Sequence, residues 1–104
     1  MIKVSVLYPR AEGARFDHDY YRNRHVPWVA EQVGEAVRSW GVERGLSDGG
    51  RGEAPFVASC WFVADSVEAW NSGFGPVAKE VLADIANYTD VQPVMQVSEI
   101  TSES

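Results

Sequence analysis

A chain of 104 residues with 45% apolar residues has the length and composition of one globular domain with a modest core, since folding at this size buries roughly two thirds of the unfolded surface. The net charge of −6, with nine lysines and arginines in all, leaves no basic stripe to neutralise phosphates and argues against nucleic acid as a partner. No run of 18 apolar residues suggests a membrane span, no export signal is evident, and the single cysteine, Cys60, has no internal disulfide partner. The expected compartment is therefore the cytoplasm.

The stretch Ile2 to Tyr8, rich in valine and isoleucine and closed by Pro9, reads as a strand. Asp17 is placed to cap a helix, and Phe16 and Tyr21 are spaced to form a hydrophobic staple across its first turn. That helix should run to about His25. Pro27 lacks an amide donor and its ring opposes the carbonyl of Asn23, so a break is expected there, or a restart with Pro27 in a new first turn as far as Val33 and Gly34. Val37 to Leu46 then reads as a second strand, followed by a turn or mobile loop through the glycine-rich Ser47 to Gly52. The nearly continuous apolar run Phe56 to Val63 suits a strand at the sheet centre, buried on both faces. Asp65 is expected to cap a short helix through Trp70, with Gly73 and Gly75 interrupting it. Pro76 should open another helix, in which Val77, Val81, Leu82 and Ile85 share a face. Val91 to Ile100 forms the last strand.

The order β-α-β-β-α-β implies a single α+β domain spanning 1–104, a ferredoxin-like four-stranded antiparallel sheet with both helical elements on one face. The uncovered face of the central strand needs a partner, and a second copy packed sheet to sheet would supply it. A homodimer follows.

Four side chains, His18, Tyr21, Arg22 and His25, fall at helical spacing and mark a candidate stripe. His18, between two aspartates, is most simply a surface residue. His25 sits at the expected helix break beside Trp28, a position suited to a cleft mouth. The two histidines are about 10.5 Å apart along a helix rising 1.5 Å per residue, too far to share one ion. With no paired-cysteine or His-x-x-x-His spacing either, no metal is expected, and no other cofactor. The glycines at 49, 50 and 52 do not open a helix after a strand and form no phosphate cradle. Cys60, amid apolar residues, reads as a small hydrophobe unless a base such as His25 approaches it. Asp84 could approach His25 in space and orient it or fix its protonation, as carboxylates often do for catalytic imidazoles.

Phe16-Asp17-His18-Asp19-Tyr20-Tyr21, His25-Val26-Pro27, Trp61-Phe62 and the late run Asp84 to Asp90, continuing through Pro93 to Glu99, together resemble the EthD family, named for ethyl tert-butyl ether degradation. The resemblance covers nearly the whole chain, with Ala86 standing where many members carry proline. It implies a dimeric α-β barrel with a pocket between helices and sheet. Its relatives include isomerases, cyclases and cofactor-independent oxygenases, and members are often named as reductases. The family histidine falls on His25 and the late aspartate on Asp84.

Two functions follow as expectations. One is an enzyme, an oxidoreductase of the EthD type or an isomerase or cyclase moving only protons, in which His25 acts as general acid or base, with Asp84, on a small apolar or aromatic substrate held by Tyr21, Trp28, Trp61 and Tyr88. The other is an accessory protein that carries such a ligand for a partner oxygenase. An RNA-binding module shares this element order, but Glu53 stands where a stacking ring would belong and the net charge has the wrong sign.

Overall fold

The computed structural model describes residues 1–103, and within them the sheet has the order β2-β3-β1-β4, all neighbours antiparallel. The strands are β1 (Ile2–Pro9), β2 (Ser39–Arg44), β3 (Phe56–Ala64) and β4 (Val94–Glu99). β2 and β4 are each shorter than the apolar runs that signal them. In β3 the period-two geometry of a strand sends Ala58, Cys60, Phe62 and Ala64 into the core and Val57, Ser59, Trp61 and Val63 to the other side. Register pairs Val4 with Phe62 and Val6 with Cys60, so Ile2, Val4, Val6 and Tyr8 share the helix-covered face. The expected burial of β3 on both faces is met fully on one face only, the odd-numbered side chains remaining partly accessible.

The first helical layer departs from expectation in an informative way. Asp17 caps α1 (His18–Tyr20) by accepting from the Tyr20 amide, and Phe16 meets Tyr21 edge-on at 5.1 Å between ring centres. The chain does not break before Pro27. It widens into a π turn over Tyr21–His25, in which the Val26 amide donates to the Tyr21 carbonyl, and continues directly as α2 (Val26–Val33). The wider turn absorbs the missing amide and the steric demand of Pro27 without ending the helix. Gly34 then terminates α2 at φ 79°, a conformation that favours glycine.

In the second layer Ser66, not Asp65, caps α3 (Val67–Phe74), accepting from the Ala69 amide. Asp65 is instead engaged by the Arg38 guanidinium through two hydrogen bonds of 3.1 and 2.6 Å. Gly73 does not interrupt α3. A Cβ there would lie 2.8 Å from the Val33 carbonyl oxygen, so glycine lets the end of α2 and α3 approach. A 3-10 turn, Gly75–Val77, leads to α4 (Ala78–Asp84), and a second, Ile85–Asn87, ends the layer. Val26, Val29 and Val33 from α2, Trp70 from α3 and Val81 from α4 close the core over the sheet. Within the described residues no helix is long and apolar enough to cross a membrane.

Candidate functional site

The late motif is anchored before it presents anything. Thr89 pairs in an isolated bridge with Phe16, its hydroxyl donates to the Arg15 carbonyl at 2.6 Å, and the Asp17 amide donates to the Tyr88 carbonyl at 2.8 Å. Arg15 in turn donates to the Ala86 carbonyl, which ties down the turn after α4 (Ala78–Asp84). These contacts fasten the end of α4 against the start of the first helical layer and set Asp84 opposite the π turn.

There the Asp84 carboxylate gathers three donors. The His25 Nδ1–H lies 2.7 Å from Oδ2, while the Tyr20 hydroxyl and the Asn87 side-chain amide each donate to Oδ1 at 2.8 Å. Burial works to raise the Asp84 carboxyl, but the hydrogen bonds from His25, Asn87 and Tyr20 outweigh it and hold the group below its ordinary range. For His25, whose side chain is only 6% exposed, burial is the larger influence and pushes the imidazole below 6.5 despite the opposing carboxylate. Burial thus favours the neutral ring. With its proton on Nδ1, directed to Asp84, the lone pair resides on Nε2, which has no hydrogen-bond partner among the described residues.

His25 forms part of the wall of a narrow cavity of about 40 Å³ between sheet and helices, with Val6, Tyr8, Cys60 and Phe62 on the sheet side and Trp70 and Val81 among the helical residues. Leu82, Ile85, Pro93 and Met95 line both this chamber and an open cleft of about 540 Å³ beside the 89–93 loop. Burial raises the Cys60 thiol to about 12, so it remains protonated and apolar in character, not a nucleophile. No group of three His, Cys, Asp or Glu side chains among the described residues could hold a metal ion.

The residues read from the sequence as ligand contacts are dispersed. Tyr21 stacks on His25 at 5.9 Å and Tyr88 packs against it at 4.6 Å, both as fully buried rings behind the imidazole. Trp28 faces an outer groove with Tyr20, Arg24 and Asp84. Trp61 does not reach the cavity, because its odd position in β3 turns it to the opposite face, over Gly41 and beneath the Lys3 ammonium. His18 packs on Phe16, and Arg22 is exposed beside Asp19, since the π turn takes the expected stripe off register. Sequence reasoning missed Tyr8, Tyr20 and Asn87. Tyr8 carried a signal, as a polar-tipped ring continuing the Ile2, Val4, Val6 alternation.

A crystal structure of an EthD-like protein from Ralstonia eutropha JMP134 matches at 46% identity and a TM-score of 0.92, covering 99% of this chain and 94% of that one. The chain belongs to the EthD-like family. An EthD family protein from Bacillus halodurans C-125 shares the fold at 19% identity and a TM-score of 0.68, over 97% and 99% of the two chains. A protein from Arabidopsis thaliana shares it at 13% and 0.70, over 100% and 99%. No protein-family model matches the chain, and no curated protein does. The EthD-like fold thus stands, as an α+β sheet with its helices on one face.

Proposed function

We propose that this EthD-like chain is an enzyme that moves a proton within a small apolar or aromatic substrate, with His25 as general base and acid and Asp84 as the group that orients it. The observation that carries the reading is the 2.7 Å contact between His25 Nδ1 and the Asp84 carboxylate in the wall of an otherwise apolar cavity. It supports a neutral imidazole of fixed tautomer with Nε2 available as base. In one cycle Nε2 takes a proton from the substrate, the electron pair of the broken bond stays on the substrate, and the imidazolium returns the proton at another position. The histidine ends as it began, and no electrons leave the substrate. A homodimer, with the Trp61 faces of two sheets packed together, is part of the same proposal.

The test uses deuterium exchange from D₂O into a panel of small aromatic C–H acids, followed by NMR. Wild type is expected to catalyse exchange into at least one member. His25→Gln should reduce that rate by about 10² to 10⁴-fold, the usual range for general acid-base groups, with little change in melting temperature. Equal exchange in the two proteins refutes the role of His25. Binding without any exchange favours the accessory function, in which the same cavity holds a ligand for a partner oxygenase.

A further inference from the structure

The core behind the cavity carries more hydroxyl protons than it can use. Tyr8 and Tyr88, both at most 1% exposed, are joined hydroxyl to hydroxyl, and neither oxygen has another hydrogen-bond partner among the described residues. Two phenols bring two protons and their mutual bond uses one, so one O–H is left without an acceptor. The neighbouring Tyr21 hydroxyl is buried with no oxygen or nitrogen partner, only the weakly accepting Cys60 thiol lying against it. Buried donors are nearly always satisfied, and an unsatisfied one calls for an explanation.

Of the two paired phenols, Tyr8 lines the cavity and Tyr88 does not. Either phenol can donate to the other, and because only Tyr8 faces the chamber the free proton is placed there, with Tyr88 donating to Tyr8. The residues with a polar side-chain atom among those that line the chamber are few: Tyr8, His25 and the weakly polar Cys60. A chamber of about 40 Å³ has room for roughly three water-sized groups, each needing about 10–15 Å³ in this measure. It accepts one functional group, and the body of a ligand must lie in the adjoining cleft lined by Leu82, Ile85, Pro93 and Met95.

We propose that Tyr8 is the hydrogen-bond donor for the carbonyl oxygen of a small ketone or aldehyde whose apolar body occupies the outer cleft. This deepens the proton-transfer reading and rests on it for the role of the neighbouring C–H bond. That bond's proton passes to His25 Nε2, its electron pair moves into the bond to the carbonyl carbon, and the carbonyl π pair moves onto the oxygen that Tyr8 holds. Return of the proton to carbon reverses each shift.

The probes are acetophenone, ¹³C-labelled at the carbonyl, and ethylbenzene, of similar shape without the oxygen. Wild type should bind acetophenone about 10-fold more tightly or better, the worth of one net hydrogen bond, and the carbonyl ¹³C resonance should move downfield. In Tyr8→Phe both effects should vanish. Because that change strands the Tyr88 hydroxyl, Tyr8→Phe/Tyr88→Phe is measured beside it, with the same loss expected in a chain free of the stranded group. Equal affinity for the two probes, no saturable acetophenone binding at millimolar concentration, or a preference that survives both substitutions overturns the proposal and leaves a buried water as the partner of Tyr8. A Tyr8-dependent preference without deuterium exchange at the acetophenone methyl refutes the His25 reading and not this one. Exchange that is indifferent to Tyr8 does the reverse.

Discussion

At residue scale, His25 and Asp84 are bound to each other by opposed influences that titration can separate. Burial lowers the imidazole from 6.5, and the carboxylate draws it back up. Asp84→Asn removes the charge that favours the imidazolium, so His25 should titrate lower still. The measurement is the pH dependence of the His25 ring signals in NMR spectra: wild type below 6.5, the variant below wild type. A wild-type value above 6.5 would show the carboxylate dominating burial. The sign for stability follows from linkage. Because the folded pKa of His25 lies under its unfolded value, the unfolded chain binds the proton more readily, and stability complete above about 6.5 falls as pH drops below it. Asp84, also lowered, adds a further loss as pH falls below the ordinary carboxylate value. Both groups were legible in the sequence, one from a proline two positions on and the other from a polar run. That Asp84 could reach His25 was legible too; what was not is the means, Arg15, Asp17 and Thr89 fastening distant segments together.

At the scale of elements, the misread positions share a cause: local signals were overridden by what packs against them. Pro27 signals a helix break in isolation, yet α2 buries Val26, Val29 and Val33, and a π turn preserves that burial where a break would forfeit it. Gly73 and Gly75 look alike in sequence and differ in the fold. At Gly73 a Cβ would meet the Val33 carbonyl oxygen at 2.8 Å and Val33 Cγ1 at 2.9 Å, whereas at Gly75 it would meet nothing within 4 Å, and the Gly75 backbone is already right-handed helical. At Gly75 the entropic gain of alanine, about 0.4–1 kcal/mol, is opposed by the Pro76 ring, which disfavours a right-handed helical residue with a Cβ before it, so Gly75→Ala is expected to change stability by less than about 1 kcal/mol. Gly73→Ala is expected to destabilise by about 1–3 kcal/mol, overpacking outweighing the roughly 1 kcal/mol that alanine gains in helix propensity. Chemical denaturation of the two variants beside wild type decides it, and a Gly73→Ala chain no less stable than wild type would show that the α2–α3 contact relaxes freely.

At the scale of the whole molecule, the order of elements was legible because each strand and helix carries its own period, and the EthD-like fold follows from that order and from handedness. Assembly is a different matter, for it depends on one face of one sheet. That face carries Leu7, Val57, Trp61, Val63 and Val94, with Ser5, Ser59 and Gln96 among them and Lys3 and Glu43 toward its margins, and no helix of the described residues covers it. Trp61 lies against Gly41, where a Cβ would stand 2.6 Å from the indole, so the ring is held low across the sheet, with the Lys3 ammonium over it. Such a surface is too flat to enclose a ligand and is suited to a second copy of itself. Light scattering at micromolar concentration should give twice 11.5 kDa. Trp61→Asp would set two carboxylates near the centre of the paired faces, and the variant should become monomeric or precipitate while wild type remains dimeric. Gln96→Asp, toward the β4 edge of the same face, should weaken the dimer less. A wild-type chain that scatters as 11.5 kDa would refute the dimer and leave the Trp61 face open to solvent.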